Sequence, residues 1–253
     1  MIKFAQKIGT LIQEMEKWHT PLINLPGKKL TKADIFHYYL SPLVYKNLLE
    51  DLAGHNVIVI QYFQQNYPVL KRKEKGQKIK IEAFKNFEHP SDLGYWIRRR
   101  AVEFHKTLGD KTSIYVIDID PKDVNLETTK KVVEDVSSLL RNLPEVKDVE
   151  IRFSGGRGFY VIGHLKKKMN INEARERLKQ VLLPLTSNPL LTLSVPQKGQ
   201  IRLDLSPMKR GGSFRALFSL NAKTGLISVP VKDIKSFNPY IHANPISIPT
   251  IES

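Results

Sequence analysis

The sequence predicts an α/β (mixed α+β) protein with helices around mixed central sheets, and three observations predict it. Residues 114–120, IYVIDID, are apolar on both faces up to their aspartates, the pattern of a central, buried strand. A helical stretch, LETTKKVVEDVSSLLRNL, and a further strand, VEIRFS, follow it and make a βαβ-like run. The 253 residues, 41% hydrophobic and 26% charged, suffice for one large domain or two small ones sharing a core, and exclude disordered and collagen-like classes.

Taken in order, MIKFAQKIGTLIQEMEKWHT has apolar residues at helical spacing broken by charges. It lacks a continuous apolar core and a small-residue cleavage site, so it reads as an amphipathic surface helix. PLINLPGKKL is a Pro/Gly-marked loop. This helix and loop, residues 1–29, precede a single domain over 30–253. In TKADIFHYYLSPLVYKNLLEDL, Thr31 and Asp34 give a capping-box-like start, with Asp replacing the preferred Glu, and Pro42 interrupts the helix or begins a second. NVIVIQYF is a strand, and KRKEKGQKIKIEAF turns around Gly76 into an alternating strand. WIRRRAVEFHKTL reads as a helix with a basic cluster, Arg98, Arg99 and Arg100. After the βαβ-like run, GGRG turns the chain into the strand FYVIGHL, INEARERLKQVLLPL is a helix and QIRLDLSP a strand. ALFSLNAKTGLISVPV gives two short strands about an Asn/Gly turn, and the proline-rich tail from Asn238 is extended or frayed. No internal repeat, low-complexity tract or interdomain linker stands out.

Lys and Arg number 40 against 25 Asp and Glu, a net charge of +15, which favours a polyanionic partner and nucleic acid first. An anionic membrane or a Lys-rich, thermophile-like surface is the plainer alternative. No run approaches the length of a membrane span, so a cytoplasmic protein is expected. With no cysteine, disulfides, thiol catalysis and cysteine-ligated zinc are excluded. Residues 71–80 hold six basic residues, Lys71, Arg72, Lys73, Lys75, Lys78 and Lys80, and one acidic. A solvated hairpin is the common reading of such a run. The neighbouring rings of Tyr62, Phe63, Phe84 and Phe87 favour nucleic acid, because rings stack on bases.

The chemistry gathers in three segments. Asp118 and Asp120, at alternate strand positions, share a face with Cα atoms roughly 6.5 Å apart, so their charges repel and a compensating cation is expected. In FSGGRGFY, Ser154, Gly155, Gly156, Arg157 and Gly158 form a turn whose backbone N–H groups, hydroxyl and guanidinium suit phosphate. Asp204, inside the apolar strand RLDL, needs a partner, with Arg202 at hand. Each has a plain structural reading: a salt-bridged strand end, an ordinary turn, an ion-paired strand aspartate. Together they supply three carboxylates and a phosphate-gripping loop, the equipment for two-metal phosphoryl or nucleotidyl transfer.

The order and spacing of DID, SGGRGFY and LD resemble the archaeo-eukaryotic primase superfamily, the primase-polymerases. There a DxD strand is followed by an SGxxGxH-type turn and then by an apolar-Asp pair on a later strand. Within it, the polymerase domain of bacterial ligase D and its stand-alone archaeal relatives in end joining are most similar: DIDP resembles their DLDP, SGGRG their SGxKG, ALFSL their APYSL. LTKADIFHYYLSPLVYKNLLEDLAGHNVIV resembles their TKxDLxxYY helix and following strand, and AFKNFEHP loosely their FFxKHxP. The resemblance runs from about Leu30 to about Val231. It implies a primase-polymerase fold and a template-directed nucleotidyltransferase that extends or fills DNA ends in end-joining repair. Its partners would be DNA, as template and primer or broken ends, nucleoside triphosphates, and a separate DNA ligase and end-binding protein. Asp118, Asp120 and Asp204 would be catalytic and hold two divalent ions, Mg2+ or Mn2+. Ser154, Gly155 and Arg157 would contact the triphosphate, Lys223 of NAKTG would add a contact, and Phe84 and Lys85 would lie near the template base and downstream 5′-phosphate.

Two positions depart from the family pattern. Tyr160 stands where the turn motif has histidine; its phenol can donate one hydrogen bond but carries no positive charge near neutral pH. Asn221 stands where members usually carry Arg or His. His164 shares a strand face with Tyr160 but lies roughly 13 Å along the strand, too far to replace it, and reads as a strand-end histidine. These changes bear on nucleotide affinity more than on metal binding. One alternative is the catalytic small subunit of a replicative or plasmid primase, working with a large subunit. Such subunits usually carry a cysteine-ligated zinc knuckle, so the absence of cysteine favours the end-joining type. A non-catalytic nucleic-acid-binding module retaining the fold is kept open by Tyr160 and Asn221. A DxD glycosyltransferase leaves Asp204, the turn and the charge unexplained.

Overall fold

Pro21–Leu25 (β1) and Lys28–Thr31 (β2) pair as an antiparallel hairpin in the computed structural model, which describes residues 21–25, 28–64, 67–68 and 90–246. The stretch expected as a loop is therefore two short strands. Helix α1 (Lys32–Leu40) follows at once because Thr31 caps it reciprocally. Thr31 Oγ1 accepts from Asp34 N at 3.1 Å, and Asp34 Oδ2 accepts from Thr31 N at 2.8 Å. Helix α2 (Pro42–Leu52) begins at Pro42, whose missing N–H costs nothing in a first turn, and buries Val44, Leu48 and Leu52.

WIRRRAVEFHKTL, expected as one helix, is a helix end followed by a strand. Its helix, α3 (Pro90–Arg98), ends at the arginines, and Ala101–Thr107 form strand β5. Ile97, Ala101, Phe104 and Leu108 fall at helical spacing, which explains the misreading. The chain instead reverses at Arg100, whose φ is 68°, and every residue from Ala101 to Phe104 is buried because the strand is covered on both faces. β5 lies between β3 (Asn56–Gln64) and β11 (Ser213–Arg215), in a four-stranded sheet of order β11-β5-β3-β4, with β4 at Tyr67–Pro68.

The larger sheet holds the predicted βαβ run. Strand β6 (Lys111–Lys122) leads through helix α4 (Leu126–Arg141) to β7 (Val146–Ser154), and β8 (Phe159–Asn170) inserts antiparallel between the two strands. Helix α5 (Ile171–Leu182), β9 (Leu191–Thr192), β10 (Gln200–Asp204) and β12 (Ser228–Pro230) complete the order β12-β7-β8-β6-β10-β9. Helix α4 is capped by Asn125, whose side chain accepts from Thr128 N, and it lays Val132, Val133, Val136 and Leu140 on the sheet. In β6, Tyr115, Val116, Ile117 and Ile119 are all buried, as a central strand requires. One buried cluster runs from Leu30 to Ala243 and joins both sheets, each large apolar side chain in it contributing about 1.5–3 kcal/mol. The tail carries a single helical turn, α6 (Pro239–His242). The N-terminal amphipathic helix, the basic residues Lys71, Arg72, Lys73, Lys75, Lys78 and Lys80, and Phe84 and Lys85 lie outside the described residues.

Candidate active site

One row of side chains crosses the six-stranded sheet. Asp204 of β10 pairs with Asp118 of β6, Asp118 with Tyr160 of β8, and Tyr160 with Arg152 of β7. Directly paired residues share a face, so these four lie on one side of the sheet. Asp120 and Arg202, paired with each other two residues along, continue that side. The sheet thus gathers all three aspartates, one of them from far along the chain.

Each carboxylate has its own environment. Asp204 Oδ1 accepts from Ser206 N at 2.7 Å and its Oδ2 from the Ser206 hydroxyl at 2.9 Å, with Arg202 NH2 at 3.1 Å from Oδ1. Asp120 is more open and accepts from Arg157 NH2 at 3.2 Å. Asp118 stands beside both; burial, and then the charges of Asp120 and Asp204, push its carboxyl up to about 8. As the side chains are placed, no three His, Cys, Asp or Glu form a metal-holding group among the described residues. The donor chemistry nevertheless fits a hard divalent cation: three carboxylates on one face whose mutual repulsion a cation relieves. Asp120 is held away only by its exposed ion pair with Arg157, and such pairs are worth only about 0–1 kcal/mol.

A stability measurement tests the environment of Asp118. The unfolded chain releases the Asp118 proton near pH 4, whereas the folded one holds it until about 8. Without metal, the folded state therefore loses stability as pH rises through that interval, and below it the contribution vanishes. Asp118→Asn is expected to be more stable than the unaltered protein at pH 8 by about 5 kcal/mol, or roughly 10–20 °C, and equal to it near pH 4. Thermal unfolding across that range checks it; parallel curves for the two proteins would show that neither burial nor the neighbouring carboxylates raise the Asp118 carboxyl.

Two turns flank the acidic row. In the first, Ser154 Oγ donates to Gly158 O at 2.9 Å and accepts from Gly156 N at 3.3 Å, so the hydroxyl closes its own turn. Gly158 has no substitute, since a Cβ there would lie 1.9 Å from Ile119 O. Arg157 projects from this turn, 63% exposed at its side chain. In the second turn, residues 221–225, Asn221 Oδ1 accepts from Lys223 N and Lys223 is exposed. Thr224 Oγ1 donates to Gly155 O at 2.5 Å, and Asn221 packs so closely over Gly155 and Gly156 that a Cβ on either would crowd it. The two turns are clasped, and each presents a cation.

Glu103 and Arg215, which carry no local sequence signal, hold this clasp together. Arg215 Nε donates to Ser154 O at 2.9 Å, and its NH1 donates to Leu220 O at 2.6 Å and pairs with Glu103 Oε2 at 2.7 Å. Glu103 Oε1 accepts from Ala222 N at 2.6 Å. Burial opposes its ionisation, but the His105 hydrogen bond and the Arg215 charge hold the carboxyl down at about 2. Tyr160, beside Asp118 on the same face, is buried rather than open to solvent. Its hydroxyl accepts from Arg215 N at 3.3 Å, its ring meets Phe214 edge-on, and burial, then Asp118, raise its phenol above the usual range. His164 sits 3.6 Å from Glu150, away from the aspartates.

No family model matches the chain, and no curated protein matches it. The fold that carries this row and its two turns is nevertheless the primase-polymerase fold. Among solved structures, the chain is similar to the polymerase domain of Mycobacterium tuberculosis Ligase D in complex with DNA, with a TM-score of 0.71 over 92% of each chain at 18% sequence identity. Among the described residues no helix is long and apolar enough to cross a membrane.

Proposed function

We propose that the protein is a template-directed nucleotidyltransferase, a primase-polymerase that extends or fills DNA ends, acting in end-joining repair with a separate ligase and end-binding protein. The observation that carries this reading is the acidic row of Asp204, Asp118 and Asp120 beside two clasped turns that present Arg157 and Lys223. The fold likeness to a polymerase domain solved with DNA and the net charge of +15 support it. The three aspartates would hold two divalent ions, Mg2+ or Mn2+. Such ions, when bound, polarise a primer 3′-hydroxyl and neutralise charge on the triphosphate. Arg157 and Lys223 would orient the triphosphate, while Glu103 and Arg215 keep both turns in register. Tyr160 would flank Asp118 on β8 and hold β11 through its hydroxyl.

Primer extension with Mn2+ and all nucleotides tests the proposal. Absence of extension by a protein that binds the same DNA would favour a non-catalytic nucleic-acid-binding module. That second reading draws on the arginines placed against Asp120 and Asp204 and on the buried Tyr160. Synthesis without a primer would favour the replicative or plasmid primase reading. Arg157→Ala is expected to raise the nucleotide KM about tenfold, the worth of one charge-assisted hydrogen bond, and to leave metal-free DNA binding unchanged. Loss of DNA binding instead would mean that this turn faces the nucleic acid.

A further inference from the structure

Six described arginines, Arg152, Arg157, Arg177, Arg202, Arg210 and Arg215, sit against carboxylates. The α3–β5 junction brings three arginines together in sequence. Arg98 closes α3, Arg99 and Arg100 link it to Ala101, and all three are exposed. Neither Arg98 nor Arg100 has a carboxylate partner among the described residues. Arg99 lays its guanidinium over the Tyr95 ring, 4.5 Å from the centroid, and that tyrosine is itself 42% exposed.

A cation in the last turn of a helix is favoured by the helix dipole, so Arg98 alone requires no ligand. Arg100 does not fit that account. Its φ of 68° is the left-handed conformation that ends many helices, and it disfavours any residue with a Cβ while suiting glycine. Its N–H donates to Ile97 O at 2.9 Å, a bond that glycine would make equally well. The turn therefore gains nothing from this side chain, and a strained backbone that keeps a large cation points to use of the cation. The junction also opens β5, whose Glu103 holds the 221–225 turn through Ala222 N. At about 3.3 Å per residue, Arg100 lies roughly 10 Å along the strand from Glu103.

We propose that Arg98, Arg99 and Arg100 form a phosphate-gripping cluster that holds the sugar-phosphate backbone of DNA engaged at the candidate site. This rests on the polymerase reading and deepens it by placing a surface for the DNA. Guanidinium forks match phosphate oxygens, and contacts of this kind are independent of base sequence.

The test is the binding of a fluorescent primer–template DNA across a salt series, with thermal unfolding of each variant alongside. Arg100→Gly is expected to unfold at or above the temperature of the unaltered protein yet bind about fivefold more weakly, with a salt slope shallower by about one. Arg98→Ala/Arg99→Ala is expected to flatten the slope by about two, and Arg100→Lys to retain it. Unchanged affinity and slope in the glycine and alanine variants, while the unaltered protein binds DNA, would overturn the cluster and leave the polymerase reading standing. Failure of the unaltered protein to bind DNA at all would overturn the polymerase reading itself.

Discussion

Asp118→Ala and Asp204→Ala are each expected to lower primer extension by on the order of 10³-fold or more while DNA affinity stays within about twofold. Asp118 lies next to Asp204 in the row and shares its strand with Asp120, so its removal leaves two carboxylates on a diagonal with no donor between them. Asp204 is the best anchored of the three, fixed through both oxygens by Ser206, and its removal leaves the IDID pair without its cross-strand partner. The aspartates offer a phosphate no cation, so DNA binding without metal should not depend on them. The assay compares single-nucleotide extension rates in Mn2+ with binding measured in chelator. Extension within tenfold of the unaltered protein in either variant would place the chemistry elsewhere.

Much of this site was legible because its signals are local. Alternation put Asp118 and Asp120 on one face, and SGGRG announced a turn through its glycines, which the clash at Gly158 explains. Arg202 was named as a neighbour for Asp204, and the two lie 3.1 Å apart. What escaped was held by distant pairings. Glu103 lay in a stretch whose apolar residues fit a helix as well as a covered strand, and Arg215 follows no periodic pattern. Their shared task exists only after β5 and β11 pair and the two turns meet. Tyr160 was legible as a departure from a family pattern, but its burial against Phe214 was not, because a strand position does not reveal which distant strand will cover it. The reversal at Arg100 was hidden because no glycine marks it.

Asp51→Ala is expected to cost about 3–5 kcal/mol of folding stability, a fall in Tm of roughly 10 °C, although Asp51 is far from the acidic row in sequence and carries no motif. Asp51 Oδ1 pairs with Lys106 Nζ at 2.8 Å and Arg152 NH1 at 3.0 Å, while Oδ2 accepts from Leu217 N at 2.8 Å. All three charged side chains are buried, at 7–8% exposure. One carboxylate therefore ties α2 to β5 of one sheet, to β7 of the other and to the segment that leads into the Lys223 turn. Its removal strands the buried Lys106 ammonium and the Leu217 N–H and leaves Arg152 with Glu150 as its remaining carboxylate, which costs far more than any exposed pair is worth. Burial opposes the ionised form of Asp51, but Arg152 and then Lys106 hold its carboxyl below the ordinary carboxylate range. With the folded value depressed, this contribution is fully present above about pH 4 and is lost as pH falls through the folded value. Acid unfolding should accordingly be shallower in Asp51→Asn, which keeps an acceptor for Leu217 N but has no proton to bind. Urea unfolding at neutral and acid pH measures both effects. A loss below about 1 kcal/mol in the alanine variant would show that the two sheets are held by their apolar contact alone.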